Sequence, residues 1–537
     1  MPSDRLNTFK IRRSPIEKAI MLKPIILGVS ASLRNARFGR GSASLLTEIK
    51  GLTSRETLVD YLEEQSSIIT EQFFEAGRRD GLPFDELYTR FKKSGGDRGL
   101  SNSESAVVAA LWGAIQRGCD IDHVSLSRYF SSTGETKNLE ELRAAILNAD
   151  GLILGGPVYF GDRGSLASDF IDFLGSDAEL RAHLRSKIYG GVAVGAKRNG
   201  GQETNLIYQL NDMTNLGMLG VGNDSETTSQ YGGTGVAGDV GTFHADGYGL
   251  DTCIGTGRRV GGVTHALASA GGLRLSTPLR VDVWLLQDST SPRFRDYLES
   301  ITAQLPEDVQ QAVEFNLKDF STEYIRRCIA CDICPTEIGE ADQYRCIISA
   351  KKDLFQRQHV ELIGPDAILY AAYSPRDRSD IQSQYQKFVE RTRYWRRDNY
   401  LVGDRLTAPF VISEVGANQN LHLRMLTSGV RHHAVMHRPV IGFEHKNALL
   451  NSDDMVGTLS SFVSSGIAMT TARLANAESA ANTDYNPVGY VISKEKTDSD
   501  RADGRWDELT SARLESIDRQ ATERLDVGAH DNPRGSR

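Results

Sequence analysis

No apolar run in this chain approaches the ~20 residues needed to cross a bilayer. The opening residues, MPSDRLNTFKIRRSPIEKAI, carry basic groups but no apolar core of signal-peptide length, and read as a mobile arm over 1–20. Positive charge is not in excess. With 62 Lys and Arg against 70 Asp and Glu, the net charge is −8, which gives no reason to expect nucleic acid or an anionic membrane surface as partner. Cysteine is scarce, six in 537 residues. Cys119 and Cys253 stand alone and are expected to be buried small hydrophobes. Cys328, Cys331, Cys334 and Cys346 fall within 19 residues, which is not a disulfide framework. Without an export signal such a cluster points to metal, cluster or redox chemistry. The expectation is a cytoplasmic protein of roughly two to four domains.

The most informative stretch is 148–174, NADGLILGGPVYFGDRGSLASDFIDFL. Gly151 to Leu154 is the unbroken apolar run of a strand buried on both faces of a parallel sheet. Gly155-Gly156-Pro157 stops it, Tyr159 and Phe160 follow, and Leu166, Phe170, Phe173 and Leu174 recur at helical spacing. In open α/β sheets ligands bind beyond the carboxyl ends of the strands, where this loop falls, and the aromatic pair suits a flat ligand. Two more strand ends have similar chemistry. The strand Pro24 to Val29 runs into Ser30, Ser32, Arg34 and Ser42, a set of small hydroxyls, free amides and one guanidinium suited to an anion. The strand Ile188 to Val194 runs into Gly200-Gly201, where backbone can approach a ligand. Residues 223–254 are rich in Gly, Ser and Thr and read either as flexible or as a wrap over a ligand, with a helix starting at Gly257.

A second pass has the same rhythm. Asp150-Gly-Leu-Ile-Leu answers Asp366-Ala-Ile-Leu-Tyr at an offset of 216, Phe170 to Asp172 answers Phe388 to Glu390 at 218, and Gly195-Ala196 answers Gly416-Ala417 at 221. Nearly constant offsets suggest duplication of one α/β unit. The expected organisation is a first domain over 21–272 with a helical insertion at about 50–103, a second over 276–480 carrying the cysteine loop 328–346, and a polar tail over 490–537 with one helix near Trp506 to Leu525.

The segments GVSASLR with Ser42, ADGLILGGPVYFGDRGSLASDFIDF, VGAKRNGGQET and DGYGLDTCIGTGRRV resemble the NAD(P)H-dependent FMN reductases of the flavodoxin-like superfamily. That resemblance implies two flavodoxin-like three-layer α/β/α units with parallel sheets, the second degenerate, and bound FMN. Carried over to this chain, Ser30, Ser32, Arg34 and Ser42 would hold the phosphate. Pro157, Val158, Tyr159 and Phe160 would edge the isoalloxazine, and Gly200 and Gly201 would approach its other side. No GxGxxG dinucleotide fingerprint is read, in keeping with NAD(P)H as an electron donor that visits and leaves. No catalytic dyad is assigned, because the flavin carries the hydride chemistry.

The cysteine loop resembles that of iron–sulfur flavoproteins, which implies a [4Fe–4S] cluster on Cys328, Cys331, Cys334 and Cys346. Zinc and free thiols stay open beside it. The second unit lacks the Ser/Gly phosphate loop, and is expected to pair with the first as subunits pair in dimeric flavin reductases. Tyr373, Arg391, Arg393, Arg396, Arg397, Arg431, His432 and His433 would then reach the flavin or substrate. Three functions stand: an FMN-dependent reductase of a small-molecule acceptor, an iron–sulfur flavoprotein serving a redox protein partner, and a non-catalytic binding protein on the same fold. A homodimer is a further expectation.

Overall fold

A computed structural model of the chain describes residues 23–33, 41–77, 86, 99–228, 230–287, 292–331, 334, 344, 346–374, 379–397, 400–416, 420–477, 480 and 491–527. The arm expected over 1–20 lies outside the described residues.

The strands of the first half are β1 (Ile25–Ser30), β2 (Asp120–Ser125), β3 (Gly151–Tyr159) with its short return strand β4 (Asp162–Arg163), β5 (Ile188–Gly195), β6 (Leu219–Val221) and β7 (Gly233–Val236). They stand in the order β2-β1-β3-β5, and the fifth place is shared: β6 lies along the start of β5 and β7 along its end, all parallel. This is the 2-1-3-4-5 order of a flavodoxin-like sheet. After β8 (Leu273–Leu275), the second half repeats it. β9 (Leu279–Leu285), β10 (Val313–Asp319), β11 (Ala367–Ser374) and β12 (Leu406–Glu414) stand in the order β10-β9-β11-β12. β13 (Val435–Met436) and β14 (Val440–His445) share the fifth place, and β15 (Ala448–Leu449) returns on β14.

The repetition extends to single hydrogen bonds. Asp150 accepts the Ile25 N–H through its carboxylate at 2.9 Å, and Asp366 accepts the Arg280 N–H at 3.1 Å. Ala31 N–H donates to Gly155 O at 2.8 Å, as Leu286 N–H does to Ala371 O at 2.9 Å. Leu219 bonds Lys187 O at 2.8 Å, and Val435 bonds Arg405 O at 2.9 Å. One correspondence shifts. Pro157 pairs with Val194 and Tyr373 with Ile412, so Gly195 answers Ser413 rather than Gly416.

The parallel sheets expected of the two units are both present, and they are continuous with one another. β6 and β13 pair antiparallel at Gly220 and Met436, joining the halves edge to edge. Each fifth strand is short and leaves an unpaired edge, and the edges satisfy one another. The strands of the two halves therefore run in opposite senses, and their carboxyl ends face opposite rims of the sheet.

Helices cover both faces. Asn102–Ile115, Gly247–Ser269 and Ser452–Ala475 pack on a core that runs across both halves. Gly247–Ser269 begins ten residues before the expected Gly257. Its glycines serve packing: a Cβ on Gly257 would lie 1.6 Å from Ala110 O, and one on Gly113 2.2 Å from Ile254 O, so the two helices cross almost backbone to backbone. The helix Gly41–Gly51 leads into the expected insertion, which begins with the helix Arg55–Gly77, and most of 78–98 lies outside the described residues.

The tail also differs from expectation. It holds two helices, Val491–Ala502 and Arg505–Arg524, and ends in β16 (Leu525–Val527), which pairs antiparallel with β8. The reason is electrostatic. Asp366 is wholly buried and needs cationic partners, and Arg524 reaches it with two bonds of 2.8 and 2.7 Å.

Candidate functional site

β1 ends in Ser30, and Ser30 and Ser32 are both buried at the carboxyl rim beside β3. The Ala31–Gly155 bond stitches this turn to β3, and at Gly156 an added Cβ would stand 3.1 Å from that of Ala31. Arg34 lies outside the described residues. Ser42 falls in the helix Gly41–Gly51, with its side chain outside the described set.

The loop after β3 is a hairpin. Val158 pairs with Arg163 and Tyr159 with Asp162, leaving Phe160 and Gly161 as a two-residue turn, both at positive φ (52° and 83°). That is the backbone of a type I′ turn, which favours Asn-Gly, so a phenylalanine in its first place is strained. The Phe160 ring is also fully exposed and Tyr159 is 57% exposed. A strained, exposed aromatic at the end of a parallel strand is a candidate ligand contact. Arg163 anchors the hairpin through a 2.5 Å ion pair with Asp212 on the helix Gln202–Asn215.

Gly201 has φ +97°, and an added Cβ would sit 2.6 Å from Gly161 Cα, so the third loop lies directly against the hairpin. Buried Gln202 fixes this loop, accepting from Gly200 N at 2.8 Å and donating to Lys197 O at 2.8 Å and Gly235 O at 3.1 Å. Pro157, Val158, Tyr159, Phe160, Gly200 and Gly201 are thus brought together, with Ser30 and Ser32 on the same rim. The arrangement fits a flat ring with an anionic tail: an aromatic edge, a second loop within backbone contact of it, and buried hydroxyls one strand away.

The described residues of the Gly-rich stretch 223–254 include regular structure. Gly233–Val236 is β7, and Asp246 bonds Val236 N at 2.7 Å and Gly249 N at 3.0 Å, capping the helix behind it. GxGxxG spacing does occur once, at Gly233, Gly235 and Gly238, but its start lies on a strand instead of a strand-to-helix turn, so it is no dinucleotide fingerprint. Cys119 and Cys253 are buried, and burial pushes the Cys119 thiol up to about 12.

At the equivalent rim of the second half the described side chains close on one another, while 288–291, 375–378 and 417–419 lie outside the described residues. Gln287 is buried and accepts from Tyr373 N at 2.9 Å, Tyr373 OH donates to Glu444 at 2.6 Å, and Arg293 donates to Glu444 at 3.0 Å. Tyr373 stands at the Pro157 register, so it closes its own rim and is not presented to the first half. Arg391 is likewise a core residue, 2.9 Å from buried Asp353. Arg393, Arg396, Arg431 and His432 line a cleft of about 470 Å³ with Cys328 and Tyr231, while His433 lines a different cavity. The Arg397 side chain lies outside the described residues.

The four loop cysteines are partly exposed and unbonded to one another. Four thiols are the right donor chemistry for a cluster. As placed, however, no three Cys, His, Asp or Glu among the described residues come together to hold a metal. Much of the loop, 332–333, 335–343 and 345, lies outside the described residues. No described helix is long and apolar enough to cross a membrane.

The hairpin permits a direct check. Phe160→Asn should leave the flavin-free protein as stable or raise it by roughly 0.5–1 kcal/mol, because asparagine suits the turn, while FMN affinity falls. Denaturant midpoints beside an FMN titration measure both, and unchanged FMN binding would remove Phe160 from the site.

A profile of the NADPH-dependent FMN reductase family matches residues 94–230, which include the hairpin and the Gly200-Gly201 loop. An iron–sulfur flavoprotein of Methanocaldococcus jannaschii is 32% identical over 187 residues, 32% of this chain and 96% of that protein. A second iron–sulfur flavoprotein, from Methanosarcina thermophila, is 29% identical over 146 residues, 25% of this chain and 76% of the relative. Among solved structures, a flavodoxin, WrbA-like protein of Agrobacterium tumefaciens matches with a TM-score of 0.24 and 16% identity, covering 45% of this chain and 97% of that one.

Proposed function

Because this chain belongs to the NADPH-dependent FMN reductase family of flavodoxin-like proteins, we propose that it is an FMN-dependent oxidoreductase that takes hydride from NAD(P)H and passes electrons to a small conjugated acceptor such as a quinone. The observation that carries this reading is the convergence of the strained Phe160 hairpin with the Gly201 loop beside the Ser30 turn. Bound FMN would supply the hydride chemistry. The chain's own residues position it: Ser30 and Ser32, with Arg34 and Ser42, toward the phosphate, and Pro157, Val158, Tyr159 and Phe160 along the ring. In this reading the first half alone holds flavin, since Gln287, Tyr373 and Glu444 close on one another at the matching rim of the second. The protein works in the cytoplasm and takes no nucleic acid or membrane as partner.

Anaerobic purification with a visible spectrum should show about one FMN per chain, and the protein should oxidise NADPH or NADH when a quinone is supplied. A flavin-free protein that oxidises neither would overturn the proposal.

A second reading rests on the relatives' names and the four cysteines. In it, Cys328, Cys331, Cys334 and Cys346 gather around a [4Fe–4S] cluster and the partner is a redox protein. Iron analysis separates the two: about four irons per chain supports the cluster, and an iron-free yellow protein with full NADPH oxidation supports the reductase alone.

A further inference from the structure

We propose that the crevice between the two halves, where the helices Gly247–Ser269 and Ser452–Ala475 meet, is a binding site for a small oxyanion, distinct from the flavin rim. The crevice encloses a cavity of about 100 Å³. A single water needs roughly 10–15 Å³ by this measure, and organic ligands occupy roughly 300 Å³ or more, so the space suits phosphate, sulfate or a short carboxylate.

Its walls carry more guanidinium than carboxylate. Arg117, Arg258, Arg259 and Arg473 face the cavity against Asp224 and Asp404. Both aspartates are engaged: Asp224 lies 2.7 Å from Arg258 Nε, and Asp404 pairs with Arg259. Half-exposed Glu226, at the edge of the crevice, serves Arg117 at 3.3 Å and Arg258 at 3.2 Å, which leaves Arg473 as the arginine without a carboxylate of its own. Arg473 has the weakest provision. Its nearest carboxylate, Asp366, is 3.5 Å away and already serves Arg524 at 2.7 Å and Arg280 at 3.2 Å. The Arg473 side chain is 9% exposed, and its Nε donates to nothing. His433, at 8%, also lines the cavity. Its Nδ1 stands 3.9 Å from Asp404, beyond hydrogen-bond reach, and has no partner. The neighbouring Arg405 shows the same excess, pushed down to about 9 by burial and by Arg473.

Buried charge is costly unless it is paired, and this surplus of cation sits inside a protein whose net charge is −8. An oxyanion in the cavity would accept from Arg473 Nε and His433 Nδ1 of the second half and from Arg258 or Arg117 of the first. It would thereby clamp the halves beside the Arg259–His433 bond of 2.7 Å.

The test uses full-length protein loaded with FMN and freed of excess, so that phosphate cannot be reporting on the flavin site. Thermal unfolding is followed while sodium phosphate, sulfate or acetate replaces chloride at constant ionic strength. The expected result is a saturable rise in Tm of several degrees with phosphate. Sulfate matching phosphate would identify a tetrahedral anion; acetate acting alone would identify a carboxylate. Arg473→Gln should raise the half-saturating concentration at least tenfold. Arg117→Gln, at a side chain 43% exposed on the rim, should raise it severalfold and stands in if the first variant fails to fold. Equal Tm in all four salts, or a wild-type half-saturation in the variants, overturns the site.

Discussion

Asp366→Asn is expected to cost roughly 3–5 kcal/mol of stability, whereas the same change at Asp150 costs less than about 1 kcal/mol. The two aspartates occupy one register position in the repeated sheet, each accepting an N–H near the start of the neighbouring strand. Their surroundings differ. The Asp150 side chain is 44% exposed and pairs with Lys187 at 3.2 Å, so water does most of the solvating. The Asp366 side chain is fully buried and shared among Arg280, Arg473 and Arg524. Burial alone would push its carboxyl up, but the guanidiniums of Arg524 and Arg280 overcome that and hold it well below the usual carboxylate range. Neutralising it strands the two buried guanidiniums of Arg473 and Arg524 and releases the tail helix that delivers Arg524.

The pH dependence follows in sign. A carboxylate with a depressed folded-state pKa contributes stability that is complete above its unfolded value, about 3.9, and is lost as pH falls below it. The gap between wild type and Asp366→Asn should therefore be constant from neutral pH to about pH 5 and narrow on further acidification. Chemical denaturation at several pH values measures it. A gap under about 1 kcal/mol at neutral pH would show that the tail is not held by this charge.

Much of this architecture is legible in the residues. Gly151 to Leu154 and Asp366 to Tyr370 are apolar because both sheet faces are covered, and such runs read as strands whatever their neighbours do. The convergence of Ser30, Phe160 and Gly201 is legible because each sits just past such a run. What stays hidden depends on contacts that leave no periodic trace. The join between the halves is a single residue pair, Gly220 with Met436, within strands of three and two residues. The hairpin at Phe160 escapes because its sequence lacks the Asn-Gly that normally announces it. The start of the helix at Gly247 escapes because glycine composition reads as loop, when here the missing side chains let two helices touch. The surplus of buried arginine is invisible in a chain whose overall charge is negative.

Gly201→Val should abolish most FMN binding while leaving the fold intact. Glycine here does two jobs. Its φ of +97° is strained for any side chain, by roughly 1–3 kcal/mol and at the upper end for a β-branched one. The added Cβ would also stand 2.6 Å from Gly161 Cα, a backbone atom that cannot rotate away, and 3.3 Å from Val158 Cγ1. The loop must then part from the hairpin, widening the space between the two walls assigned to the ring. A displacement of that size is expected to weaken FMN by roughly 10- to 1,000-fold, at about 1.4 kcal/mol per tenfold. Gly416 supplies the comparison. It too has positive φ, +91°, but an added Cβ would meet nothing within 4 Å, and it lies beyond β12 in the second half. Gly416→Val should show the conformational cost alone, with FMN affinity unchanged. Titration of flavin-free protein with FMN, alongside circular dichroism, separates the outcomes. If Gly201→Val retains wild-type affinity, the ring does not lie between these loops. If Gly416→Val loses affinity as well, strain and not contact is being measured, and the second half has a larger part in flavin binding than its buried Tyr373 and Glu444 imply.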